Sequence, residues 1–145
     1  MIFKSTFSRA LLGLAASAML GMAGAAWSAQ IQGPALDRGQ IKDLIVGNTA
    51  RGVALAKLFN IYYEANGKVS AIFQGGRYSE SDDGTWTIKN GNTVCHEFSH
   101  LFGGVERCYQ WHKADGERYV MRNVDTFKVD DLTVWNVNPG NPVGF

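Results

Sequence analysis

Glycine-containing turns recur at short intervals along this chain and separate segments rich in β-branched and aromatic residues. Asn66-Gly67 lies between the segments 59–64 and 68–73, and Asn90-Gly91 and 114–116 have the same character. Asn-Gly and Asp-Gly pairs accept the positive φ angles of tight hairpin turns, so each turn predicts two antiparallel strands. Most of the chain is therefore constrained to pair its strands locally.

Other segments continue this pattern. Further strands are predicted at 85–89, 93–98, 107–112, 117–122, 127–129 and 132–137, whereas 50–58 is ambiguous. Short strands about 8–12 residues apart with Gly turns are typical of a small antiparallel barrel or sandwich of lipocalin or avidin type. Asp37 can cap one amphipathic helix, 37–46, which Gly47 ends. We expect a mainly β fold with one short N-terminal helix.

The first 29 residues have the pattern of a cleavable signal peptide. Lys4 and Arg9 precede the small, apolar run 10–26, and the first acidic residue of the chain is Asp37. The apolar run is shorter than the roughly 20 residues that span a bilayer. We expect cleavage after Ala26, Ser28 or Ala29, a periplasmic or secreted product, and no membrane span after cleavage.

Residues 30–145 are then expected to form a single small β-rich domain. Loss of Lys4 and Arg9 leaves 12 of the 14 basic side chains against 13 acidic ones, so the net charge changes from +1 to −1. A chain without a basic cluster is not expected to bind nucleic acid, because that binding depends on neutralising phosphates.

Cys95 and Cys108 are the two cysteines of the chain. Cysteines of exported proteins usually pair, so we predict a disulfide, with free thiols or metal ligation as the alternatives. A bridge closing a loop of this size stabilises a fold by about 3 kcal/mol in the chain-entropy account.

Residues 96–100 read His-Glu-Phe-Ser-His. On a helix, His96 and His100 could bind zinc, with Glu97 activating a metal-bound water and Glu106 as a third ligand. On a strand the two histidines would stand about 13 Å apart, too far for one ion. Asn90-Gly91 favours a strand, so we predict no cofactor and a structural β-hairpin, and keep a secreted zinc metalloprotease as the alternative.

Aromatic residues are expected to line the barrel. Those that could surround a pocket for an apolar small molecule are Tyr62, Phe73, Trp86 and Trp111. Tyr119 and Trp135 are expected in the core or walls, and His112 is expected to be an exposed strand residue. The Asp82-Asp83 and Asp130-Asp131 pairs are typical of solvated turns.

Several landmarks resemble a family of small exported bacterial proteins, domain of unknown function 995. The landmarks are residues 44–49, 62–64 with Asn66-Gly67, 83–86, Cys95, 107–109 and 139–142. They cover most of residues 40 to 142. The resemblance implies that His96 and His100 are local substitutions on a β-scaffold, and it implies a fold and export but no substrate. We therefore expect a non-enzymatic exported barrel that binds an apolar small molecule or an envelope protein, with an interaction module that lacks a pocket as a further possibility.

Overall fold

The structure is a computed structural model that describes residues 29–125 and 132–145. These residues form nine strands, one α-helix and one short 3-10 turn. The strands are β1 Ile31–Ala35, β2 Asn48–Ala54, β3 Lys57–Tyr63, β4 Lys68–Gly75, β5 Tyr78–Lys89, β6 Thr93–Phe98, β7 Arg107–Ala114, β8 Tyr119–Asn123 and β9 Leu132–Pro139. Helix α1 is Arg38–Ile45, and the 3-10 turn is Leu101–Gly104.

Eight antiparallel strands, β2 to β9, close into a barrel. Each strand pairs with its neighbours in the chain, and β9 pairs with β2 to complete the ring. β1 pairs with the last residues of β7, beyond the part of β7 that β6 covers. The predicted small antiparallel barrel is confirmed, and the sandwich alternative is replaced by a closed sheet.

The local turn signals fold as predicted. β3 and β4 pair around Asn66-Gly67, and β5 and β6 pair around Asn90-Gly91. The predicted helix is also confirmed, because Asp37 and Gln40 form a reciprocal capping box at its N-terminus. The predicted strand 127–129 and the Asp130-Asp131 pair lie outside the described residues.

One prediction about a turn is wrong. Asp82 and Asp83 lie within β5 and not in a solvated turn, and the Asp82 side chain is buried inside the barrel. Gly84 also continues the strand, because β6 approaches it so closely that a Cβ atom there would lie 2.1 Å from the carbonyl oxygen of Glu97. The ambiguous segment 50–58 contains the turn Leu55-Ala56 between β2 and β3.

Helix α1 lies at one end of the barrel, which we call the closed end. Val46 bridges to Tyr63 at the end of β3, and the N–H of Gly47 donates to the carbonyl of Tyr63. Ile41 and Ile45 of the helix are fully buried in the same core as the inward side chains of the strands. The opposite end, where β2 ends and β7 begins, is the open end.

The exposure of Trp135 and of His112 differs from the prediction. Trp135 is 41% exposed because it is the extra residue of a β-bulge, where Arg51 pairs with Asn136 and Gly52 with Val134. His112 is buried and not exposed, since β1 covers it and the carbonyl of Gly33 lies 3.2 Å from its Nδ1.

The predicted disulfide is confirmed. Cys95 and Cys108 pair directly across β6 and β7, with 4.0 Å between their Cα atoms. Both side chains point away from the barrel interior, because the alternate residues His96 and Tyr109 point into it. No helix among residues 29–125 and 132–145 is long and apolar enough to cross a membrane.

Candidate functional site

Two adjoining hollows lie at the open end of the barrel. We call the part of the open end that surrounds these hollows the mouth. The mouth is bounded by the turn Leu55-Ala56, by the first residues of β5 and by the segment 99–106 between β6 and β7. Both hollows are lined by Ala54, Leu55 and Phe102. The interior below the mouth is filled with core side chains, so the mouth is where the interior of the described barrel has room for a ligand. A wider and more open depression of about 510 Å³ lies on the outer face, beside Ser70, Asp83 and Phe145.

The larger hollow has a volume of about 290 Å³ and a mainly apolar wall. Phe73, Tyr78 and Leu101 join the three shared residues to form that wall. Its polar groups are Lys57, Glu80 and His100. The ammonium group of Lys57 lies 3.7 Å from the centre of the Tyr78 ring, a cation–π contact. Small-molecule sites have this composition, an apolar wall with a few fixed polar groups.

Three residues at the mouth have left-handed backbone conformations without being glycine. Leu55 has φ 49°, Ala56 has φ 61° and Phe102 has φ 56°. Such conformations cost an L-residue with a Cβ atom about 1–2 kcal/mol, and they concentrate at functional sites. Leu55 is also 76% exposed, although a polar residue or glycine would suit its turn better. Sequence patterning misses this turn because neither residue is typical of turns.

The Phe102 side chain forms one side of both hollows. Its ring packs edge-on against Phe73 at 5.6 Å between centroids, and it is tilted against Phe98 at 6.1 Å. The carboxylate of Asp82 holds the turn that carries Phe102, because it accepts hydrogen bonds from the N–H groups of His100 and Leu101, at 2.7 and 2.8 Å. A buried carboxylate thereby fixes the wall of the hollow.

Several groups act on the ionisation of Asp82. Burial raises its pKa, but the backbone N–H groups of Leu101, His100 and Asp83 and the nearby His100 imidazole lower it. The pKa of Asp82 is in consequence below its ordinary value. The two ring nitrogens of His100 lie 3.2 Å from Asp82 and 3.4 Å from Glu80. Asp82 therefore has backbone donors, and Glu80 has one ring nitrogen of His100 as its neighbour.

The smaller hollow, of about 80 Å³, has a more polar wall. Arg107, Tyr109 and Asn123 line it together with Leu132 and the shared residues. Asn123 is 8% exposed and pairs with Tyr109 across β7 and β8, which directs both side chains inward. Arg107 pairs with His96 across β6 and β7 and also points inward.

His96 lies deeper in the barrel and is 2% exposed. Its Nε2 lies 2.9 Å from the hydroxyl of Tyr63, and its ring packs between Phe98 and Tyr109. Burial lowers the pKa of His96 to about 4. Burial and the neighbouring Tyr109 raise the pKa of Tyr63 well above its ordinary value. At neutral pH the pair is uncharged and forms part of the core.

The residues of the His-Glu-Phe-Ser-His motif are dispersed. His96 points into the barrel on β6, Glu97 is exposed on the outer face, and His100 lies beyond the strand at the mouth. Glu106 pairs with Lys89 at 2.6 Å. Among the described residues, three side chains come close enough to share a metal ion only at Cys95, Glu106 and Cys108, whose sulfur atoms are joined in the disulfide.

The four aromatic residues predicted to surround a pocket lie in three different places. Phe73 lines the larger hollow. Trp86 and Trp111 are buried toward the closed end, where both rings contact Tyr63 edge-on. Tyr62 lies on the outer face, as the alternating burial of β3 shows.

Sequence reasoning overlooked the polar residues of the mouth. Glu80 and Asp82 point inward from β5, and Arg107 and Tyr109 point inward from β7. The signal that could have found them is their spacing of two along strands whose inward faces continue to Trp86 and Trp111. Comparison with protein-family models, with curated proteins and with solved structures returns no match.

Proposed function

We propose that this chain is an exported, non-enzymatic protein that holds a small, largely apolar molecule at the open end of its barrel. The observation that carries this proposal is the apolar hollow of about 290 Å³ at the mouth. The volume is close to the lower limit of about 300 Å³ for ordinary small-molecule sites. The ligand is therefore small, of the size of one or two rings.

The strained turn at the mouth supports the same function. An exposed Leu55 with a left-handed backbone contributes nothing to the core, yet its side chain extends the apolar wall of the hollow. Residues that lower the stability of a fold without contributing to its packing are typical of binding sites. A bound apolar ligand would cover this side chain.

A neutral fluorescent probe tests the binding function. We expect 1-naphthylmethanol, a neutral fluorophore with two rings, to bind protein recovered from an exporting bacterial host. Leu55→Asn should weaken binding about tenfold, because it removes apolar area from the wall. The matched control is Leu58→Asn, which removes a leucine of 36% exposure from the adjacent strand, outside the residues that line the hollows.

Two results would overturn the binding function. One is that the protein retains neither the probe nor any compound from a metabolite and lipid extract analysed by mass spectrometry. The other is that Leu58→Asn weakens binding of the probe as much as Leu55→Asn does. Leu55→Asn should also raise the melting temperature, since Asn adopts the left-handed conformation more readily than Leu.

Export is proposed from the pattern of residues 1–29 together with the disulfide. Membership of the exported family domain of unknown function 995 is part of the same proposal. Expression of the full chain in a bacterial host should give a periplasmic protein that begins at Trp27, Ala29 or Gln30. Recovery of uncleaved chain from the cytoplasm would contradict export while leaving the binding function open to its own test.

A further inference from the structure

The smaller hollow places a cationic side chain inside the mouth. Arg107 is half-buried, and its guanidinium group has no carboxylate within ion-pairing distance among residues 29–125 and 132–145. The cost of partly burying a charge is normally offset by a paired group of opposite sign. Arg107 therefore offers a cationic group that an anion in the hollow could bind.

Asn123 presents a second donor to the same hollow. Its Oδ1 accepts a hydrogen bond of 2.8 Å from the N–H of Asp125, which fixes the orientation of the amide. The described hydrogen bonds of Asn123 involve its Oδ1 and not its Nδ2 group, and the residue lines the smaller hollow. The Nδ2 group can therefore donate to an acceptor on a bound ligand.

The acidic groups of the mouth lie beside groups that can donate to them. Asp82 accepts from the backbone N–H groups of Asp83, His100 and Leu101, and Glu80 lies beside His100. The face of Tyr78, which could attract a ligand cation, holds the ammonium of Lys57. The groups left unmatched at the mouth are therefore donors, and they favour a negatively charged ligand over a positively charged one.

We infer that the ligand is an amphipathic organic anion, an inference that rests on the proposed binding function. Its carboxylate, or an oxyanion of similar size, lies in the smaller hollow on Arg107 and Asn123, because guanidinium binds carboxylate through two parallel hydrogen bonds. Its apolar body lies in the larger hollow against Phe73 and Phe102. Leu55 and Phe102, which both hollows share, cover the junction between head and body.

Three probes of equal shape and different charge test this inference. They are 1-naphthoate, 1-naphthylmethanol and 1-naphthylmethylammonium, titrated by fluorescence or calorimetry at fixed ionic strength. We expect naphthoate to bind at least about tenfold more tightly than the alcohol or the cation, because one charge-assisted hydrogen bond changes the affinity by about this factor. Arg107→Gln should remove this preference and leave the affinity for the alcohol within about twofold.

Two further variants are controls for changes in folding and in overall charge. Lys113→Gln removes a charge from the exposed end of the same strand, and it should leave the preference for naphthoate intact. Asn123→Asp keeps the acceptor for the Asp125 N–H but places a carboxylate beside the ligand head. It should lower the affinity for naphthoate and raise that for the cation.

The outcomes separate the two proposals. Equal binding of all three probes, or a preference for naphthoate that survives Arg107→Gln, would overturn the anion inference and leave the binding function standing. Failure of all three probes to bind would count against the binding function itself. Loss of the preference in Lys113→Gln would show that overall charge and not Arg107 selects the anion, which also overturns the inference.

Discussion

The hydroxyl of Tyr63 lies 2.9 Å from Nε2 of His96 in the barrel interior, where neither side chain is more than 2% exposed. A neutral imidazole accepts the phenol proton at Nε2 when its own proton is on Nδ1. Protonation of both ring nitrogens would break this arrangement and leave a buried charge. The pair therefore ties the stability of the barrel to pH.

Acid should destabilise the protein through His96. Its pKa of about 4 in the folded state is below the ordinary value of 6.5, so the unfolded chain takes up the proton first as the pH falls. The contribution is fully present above pH 6.5 and is lost between pH 6.5 and 4, by about 3 kcal/mol. Urea unfolding across this range should show a steeper loss of stability in the wild type than in His96→Phe. Tyr63→Phe, which keeps the imidazole, should retain the steep dependence, and parallel profiles for wild type and His96→Phe would contradict the assignment.

Asp82→Asn should loosen the mouth. Both carboxylate oxygens of Asp82 accept from backbone N–H groups, Oδ1 from Asp83 and Oδ2 from His100 and Leu101. An amide N–H₂ group at either position removes an acceptor, so the free energy of unfolding should fall by about 2 kcal/mol or more. Asp83→Asn is the matched control, because that side chain is exposed and accepts from the Ser70 hydroxyl. Its expected cost is below about 1 kcal/mol. Equal losses in the two variants would show that Asp82 does not anchor the turn.

Gly84→Ala should destabilise the barrel strongly. Its Cβ atom would lie 2.1 Å from the carbonyl oxygen of Glu97, and backbone on two strands would have to move. We expect a loss of about 2–4 kcal/mol by chemical denaturation. Gly39→Ala in helix α1 adds the same methyl group at a distance of 3.4 Å from its nearest neighbour and should stabilise by about 0.5–1 kcal/mol. A change of less than 1 kcal/mol in Gly84→Ala would mean that β5 and β6 are not so close.

Loss of the disulfide should lower the free energy of unfolding by about 3 kcal/mol, since the bridge closes a short loop in the unfolded chain. The paired variant Cys95→Ala/Cys108→Ala tests this without reductant. Addition of dithiothreitol should lower the melting temperature of the wild type but not that of the paired variant. A reductant-insensitive wild type would contradict the bridge.

Zinc should not be required for folding. The imidazole of His96 bonds to Tyr63, that of His100 lies between Glu80 and Asp82, and Glu106 pairs with Lys89. Chelation with EDTA should leave the melting temperature unchanged, and protein purified after growth with zinc should contain far less than one equivalent. Stoichiometric zinc that is lost in His96→Ala, together with casein hydrolysis, would instead support the metalloprotease alternative.

Local signals predicted much of the fold. Asn66-Gly67 and Asn90-Gly91 satisfy their own backbone geometry, so they form the same turns whatever surrounds them. Asp37 likewise caps α1 through contacts three residues away. These features depend on residues that are close in the sequence, so they can be predicted from the sequence.

The mouth depends on contacts that the sequence does not display. Asp82 and Asp83 come before Gly84, and such a sequence is typical of a turn. The N–H groups of His100 and Leu101 nevertheless donate to the Asp82 carboxylate and allow it to be buried. His112 is predicted to be exposed because β1 contains Gly and Pro, so the sequence does not predict a strand there that could cover His112. Leu55-Ala56 lies in the segment 50–58, which stays ambiguous in the sequence because no turn residue marks it. The errors at Asp82 and His112 concern residues whose environment comes from a distant element.

The disulfide has a consequence for local motion at the mouth. Cys95 and Cys108 fix the two strands immediately below the segment that contains Leu101–Gly104. Local opening of that segment, the kind of partial unfolding that proteins undergo in their native state, stops at the bridge. An opening of the turn that carries Phe102 would therefore leave the hydrogen-bond ladder of β6 and β7 in register. The covalent link would confine such an opening to the turn and keep it from spreading into the strands of the barrel.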